Sequence, residues 1–217
     1  MSDYELARKN MVQNQLRTSE IEDARLITAM GAVPRERFLP KALRGVAYND
    51  EDIALPDGRF LIEPLALAKM LQAGAPQADE VGMVIGCQTG YAAAVLAQMM
   101  TTVFLMLSDQ ERADVIEGPL NELSSDNVVI QVEAEQVGFP QQSPFDFILL
   151  GGGVDAVPET LLDQLGDGGR LACIMREGHV GRVTIFQKVG TAIGQRTPFD
   201  AHTPRMMRLA PEPAFQF

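Results

Sequence analysis

The rhythm of apolar positions changes near residue 80. Upstream, Met11, Leu16, Ile21, Leu26, Ile27 and Met30 recur at mixed three- and four-residue spacings, which predicts helix through most of the first forty residues. Pro34 ends that pattern, and VPRERFLP reads as a turn into a short helix. Residues 41–63 keep no period and carry acids, Pro56 and Gly58, so a mostly irregular connector is expected there. Pro64 suits a first helical position, where its missing N–H costs nothing, and Leu65, Leu67, Ala68 and Leu71 supply that helix's apolar side. Residues 75–80 read as a loop.

Beyond this point short apolar runs alternate with helical stretches. Strands are predicted at 82–85, 102–107, 127–132, 144–152 and 170–175. Helices are predicted at 91–100, at about 110–123 and at 158–165. Ser108 with Glu111 suggests a capping box, and Gly118-Pro119 should kink or break the helix that follows. PFDFILLGG is continuously apolar, as a strand covered on both faces must be. GDGG at 166–169 reads as a turn, and 181–189 with 194–199 as a hairpin. Such alternation defines a doubly wound α/β fold: a mostly parallel seven-stranded sheet with helices on both faces, preceded by a helical segment. The expected division is 1–63 as helical segment and loop, then 64–217 as the α/β unit, compact as a whole.

Composition narrows the function. A chain of 217 residues with net charge −11 is a poor match for unspecific nucleic-acid or anionic-membrane binding. Cys87 and Cys173, with no CxxC, leave neither a disulfide framework nor a cysteine metal site, and no metal is expected. The first residues lack an apolar signal core and no run spans a bilayer, so a reducing, cytoplasmic setting is expected. The richest segment is VGMVIGCQTGY at 81–91: buried strand, glycine turn, helix start. Doubly wound folds hold nucleotide-like cofactors at such strand ends.

Longer blocks carry a resemblance. MVQNQLR, IEDARLITAMGAVPRERFLP, AYNDEDIALP and SPFDFILLGGGVDAVPETLLDQLGDGGRLACIM are similar to blocks of the protein-L-isoaspartate O-methyltransferase family, and the similarity runs through nearly the whole chain. The resemblance implies a Rossmann-like methyltransferase fold, S-adenosylmethionine as cofactor, and methyl transfer to the free α-carboxylate of isoaspartyl residues during protein repair.

The positions implied to matter depart from the family pattern. Its glycine motif runs E/D-x-G-x-G-x-G; Gly86 and Gly90 stand, but Val84 holds the acid position and Gln88 the middle glycine. Leu107 stands where an acid would take the ribose hydroxyls, and Ala134 where an aspartate would lie near the adenine. In the substrate loop, LIEP puts Ile62 at the hydroxyl-bearing position and Glu63 at the glutamine, in a loop two residues shorter. Asp109 and Glu135 are the candidate substitutes. A hydrogen bond to a charged group contributes roughly 1.5–3 kcal/mol, so several losses predict weak or absent S-adenosylmethionine binding.

The expectation is a family member without isoaspartyl methylation that acts by interaction or regulation through an unidentified protein partner. The alternatives are an active methyltransferase with relocated cofactor contacts, and the same fold holding a different small ligand. Cys87 reads as a small buried filler rather than a reactive thiol. His179 and His202, far apart in sequence, read as surface or packing residues. Met99-Met100 read as core, Met206-Met207 as partly exposed, and Gly151–Gly153 as a strand end that approaches a neighbour closely.

Overall fold

The computed structural model describes residues 3–56, 58–178 and 180–206. The N-terminal region runs α1 (Asp3–Met11), a π turn (Val12–Leu16), a 3-10 turn (Arg17–Ser19), and α2 (Ala24–Ala32). Asp23 caps α2, its carboxylate accepting from the backbone N–H of Arg25 and Leu26. Further 3-10 turns follow at Arg35–Phe38 and Lys41–Val46. The expected irregular connector contains one small hairpin, β1 (Ile53–Ala54) against β2 (Phe60–Leu61). Pro64 opens α3 (Pro64–Gly74) as expected, and Ala75, at φ 48°, ends it.

The main sheet is built from β3 (Val81–Ile85), β4 (Thr102–Leu107), β5 (Val128–Val132), β6 (Phe145–Val154), β7 (Leu165–Glu177), β8 (Val180–Val189) and β9 (Ala192–Asp200). Its order is β5-β4-β3-β6-β7-β8-β9. The first five of these are mutually parallel, while β8 runs antiparallel to both β7 and β9. The chain therefore starts the sheet at its centre and reverses direction between β5 and β6. The switch point lies between the neighbouring strands β3 and β6, and open α/β sheets place ligands at the carboxyl ends of the strands around such a point.

Strand alternation divides the apolar residues between two layers. Val84, Leu105, Leu107 and Leu149 face a cluster that includes Met11, Leu16, Leu26, Leu67, Tyr91 and Ile116, so the N-terminal region shares its core with α3, α4 (Tyr91–Ala97) and α5 (Gln110–Glu122). Met83, Ile85, Ile148 and Leu150 face the other way, towards Leu161 of α6 (Glu159–Asp163), Leu165 and Met206.

Several local expectations need correction. The helix after the glycine turn stops at Ala97 rather than 100, although Met99 and Met100 are buried as expected. Asp109, not Ser108, caps α5: its backbone is extended and its carboxylate accepts from the Arg112 N–H at 2.9 Å. Ser108 only donates to Asp109, at 3.1 Å. α5 also runs on through Pro119. The carbonyl left without its helical partner belongs to Val115, an exposed residue, so water can satisfy it. α6 ends at Asp163, and GDGG lies inside β7 as a bulge. Phe145 pairs with Leu165 and Phe147 with Arg170, so one residue of β6 opposes four of β7.

Candidate functional site

β3 ends at Ile85 and the chain turns through Gly86 (φ 77°) and Gly90 (φ 83°), both in the left-handed region that favours glycine. A cavity of about 580 Å³ opens on this turn, within the usual size for a small-molecule site. Gly86 and Gln88 line it from the turn, Asp109 and Arg112 from the start of α5, Glu135 from beyond β5, and Phe60 from the small hairpin.

The structure brings together Gly86, Gln88, Asp109 and Glu135. Gln88 is only 8% exposed, and its amide Nε2 donates to a carboxylate oxygen of Glu135, itself 2% exposed. The Gln88 carbonyl Oε1 is buried and has no hydrogen-bond partner among the described residues. Val84 and Leu107 are fully buried and face the helical core, so no carboxylate is offered from either position. Ala134 is exposed in the turn after β5, and its neighbour Glu135 reaches the cavity instead. Gly90 caps α4, where a Cβ would press on Ile116.

The loop before α3 is held from beneath by Arg35. This side chain is 0% exposed and donates through Nε to the Ala47 carbonyl at 2.6 Å and through Nη2 to the Ile62 carbonyl. Its guanidinium lies 4.9 Å from the Tyr91 ring centre. Burial holds the Arg35 pKa down, with Tyr91, Tyr48 and Asp52 acting in the opposite sense. Ile62 is buried in the core and presents no hydroxyl. The Glu63 backbone N–H donates to Asp52 at 2.9 Å. Burial raises the Glu63 carboxyl to about 7, with Asp52 and Asp50 adding to the rise and Lys69 and Arg35 opposing it. The negative charge expected at this position is therefore partly neutralised at neutral pH.

Met206 was not legible as part of this site. It is buried, not partly exposed, and packs against Gly86 and Gly152, where a Cβ would meet it. Its backbone N–H donates to the Gly153 carbonyl at 2.8 Å, and the Gly153 N–H donates to Pro204 at 2.9 Å. Gly151 lies against Cys87 just as closely, so the three glycines do serve close approach. Burial pushes the Cys87 thiol up to about 12, which fits an inert filler. His202 is exposed; His179 and Met207 lie outside the described residues. Among the described residues no cluster of side chains suits a metal ion.

A central-start parallel sheet with a glycine turn and cavity at its carboxyl edge defines a Rossmann-like methyltransferase fold. Two solved structures share it: a protein-L-isoaspartate O-methyltransferase (TM-score 0.81, 23% identity, covering 94% of this chain and 67% of that one), and a Plasmodium falciparum chain assigned to the same enzyme class in complex with S-adenosyl-L-homocysteine (TM-score 0.77, 18% identity, 94% and 97%). At these identities the likeness concerns the fold. The sequence goes further. The family model for protein-L-isoaspartate (D-aspartate) O-methyltransferase matches residues 7–197. A protein-L-isoaspartate O-methyltransferase 1 of Syntrophobacter fumaroxidans is 36% identical over 171 residues, 79% of this chain and 80% of that protein. A protein-L-isoaspartate O-methyltransferase 2 of an Anaeromyxobacter species is 36% identical over 194 residues, 88% and 79%. This chain belongs to the protein-L-isoaspartate O-methyltransferase family.

Proposed function

We propose that this chain is an S-adenosylmethionine-dependent protein-L-isoaspartate O-methyltransferase whose cofactor contacts have moved to neighbouring positions. The observation that carries this reading is that Asp109 and Glu135 line the same cavity as the Gly86 turn. Asp109 stands two residues beyond Leu107, and Glu135 one beyond Ala134. The residues fit the cofactor: carboxylates suit hydroxyl and ammonium donors, and Arg59 and Arg112, which line the same cavity, suit a carboxylate. When bound, S-adenosylmethionine supplies the activated methyl group. The chain's part is to bind and orient, which is most of what such a transfer requires. Phe60 walls the cavity, and Arg35 fixes the loop that carries Ile62 and Glu63. Partial protonation of Glu63 reduces repulsion of a carboxylate substrate.

A second reading has its own support. Ile62 offers no hydroxyl, and Met206 packs on Gly86 at the glycine turn. Both favour a family member that does not methylate, for which a role through a protein partner is the reading left. Two free, buried cysteines are compatible with a cytoplasmic setting under either reading. Calorimetry with S-adenosylmethionine and S-adenosylhomocysteine separates the two. A micromolar dissociation constant that weakens in Asp109→Ala supports the first. No heat at millimolar ligand refutes it.

A further inference from the structure

We propose that Gln88 is a ligand-recognition residue: its amide carbonyl takes a hydrogen bond from an O–H or N–H group of a nucleoside-type ligand in the cavity. This rests on the reading of that cavity as a ligand site. Gln88 lines it from the turn after β3. The residue is only 8% exposed, yet Oε1 has no partner among the described residues. Buried carbonyl groups are nearly always paired, and this unpaired one belongs to a residue that lines the cavity, so a donor held there would satisfy it.

The orientation of the amide is fixed. Nε2 points at a carboxylate oxygen of Glu135, and a carboxylate only accepts, so turning the amide over would set two acceptors against each other. Glu135 is itself buried and so holds Gln88 in one place. The pair joins residues 47 positions apart, across the ends of β3 and β5. Asp109 and Glu135 line the same cavity, as do Arg59 and Arg112, and the Gln88 carbonyl adds a neutral acceptor among these charged groups. An acceptor of this kind selects a ligand that presents an O–H or N–H donor, such as a ribose hydroxyl or an amine. A glycine at position 88 would supply no side-chain acceptor and would leave Glu135 without this partner. Gln88 therefore makes selectivity a property of this chain's own side chains.

The test measures ligand binding by calorimetry and ligand-induced thermal shift for wild type, Gln88→Met and Gln88→Gly. The probes are S-adenosylhomocysteine, adenosine, 2′-deoxyadenosine, 3′-deoxyadenosine and inosine. Gln88→Met keeps the bulk and removes the acceptor. The expected result is binding weakened about tenfold in Gln88→Met, the usual scale for one buried hydrogen bond. The analogue that lacks the donor should bind wild type more weakly but bind Gln88→Met no worse than its parent does. A purely structural role would lower the melting temperature without ligand and leave the relative affinities of the probes unchanged; that result overturns the inference. If S-adenosylhomocysteine binds wild type and both variants equally, the inference fails while the proposed function stands. If only adenosine binds, in a manner dependent on Gln88, the inference stands and the methyl-transfer reading fails. If no probe binds wild type, both fall.

Discussion

Replacing Arg35 with alanine should loosen the loop that leads into α3 and cost the whole protein about 3 kcal/mol. Arg35 is fully buried and ties two carbonyls from one connector, Ala47 and Ile62, to its guanidinium. Each carbonyl left unpaired costs about 1–3 kcal/mol, and the contact with the Tyr91 ring adds about 0.5–2 kcal/mol. The gross loss is then about 3–8 kcal/mol. Burial of the cation works the other way. It holds the Arg35 pKa down, and removing the charge returns that unfavourable contribution, which brings the net towards the low end. Urea unfolding of wild type, Arg35→Ala and Arg35→Lys measures the difference, with lysine expected between the other two because it keeps the charge and one donor. Hydrogen exchange at the Glu63 amide, bonded to Asp52 in the native loop, should accelerate more than exchange in β6. A loss below about 1 kcal/mol with unchanged exchange at Glu63 would refute the reasoning, for it would mean that the two carbonyls find other partners at no cost.

Two further outcomes follow from single side chains. Glu63→Gln should stabilise the protein at pH 8 but not at pH 4. The folded carboxyl sits at about 7, above its unfolded value, so its favourable contribution is present at low pH and is lost as pH rises through about 7; a urea series across pH 4–8 that shows parallel curves for the two proteins would contradict this. Asp109→Ala removes the cap of α5 and should cost about 1 kcal/mol by urea unfolding, while also weakening S-adenosylhomocysteine in calorimetry; loss of stability with unchanged affinity would restrict Asp109 to its capping role.

What could be read from the sequence was local. The apolar runs at β3, β4 and β6 lie in the interior of the sheet, so their pattern is nearly unbroken and they were legible as buried parallel strands. Pro64 and the left-handed glycines of the cofactor turn were similarly legible, because one residue's backbone preference decides them. What escaped was set by neighbours distant in sequence. Gln88 and Glu135 are 47 residues apart, and they meet because β3, β4 and β5 run parallel with their carboxyl ends on one edge of the sheet. Met206 belongs to a tail without periodicity, yet its backbone bonds to Gly153 and its side chain reaches Gly86. Glu63 suggested a repelling charge, but burial beside two aspartates makes it easier to protonate. The cap on α5 was misplaced by one residue because Ser108 and Asp109 are both good capping types, and only the extended backbone of Asp109 chooses between them.

The central claim is that a methyl group is transferred by a site whose acidic contacts have shifted by one or two residues. The most direct test is transfer of labelled methyl from S-adenosylmethionine to an isoaspartyl peptide, with the matching aspartyl peptide as control at saturating cofactor and Asp109→Ala compared with wild type at subsaturating cofactor. Label should appear on the isoaspartyl peptide alone and fall at least tenfold in the variant under subsaturating cofactor, a change in barrier of about 1.4 kcal/mol or more. Label at background on both peptides, from protein that is folded by circular dichroism, would contradict the claim and leave the non-catalytic reading in its place.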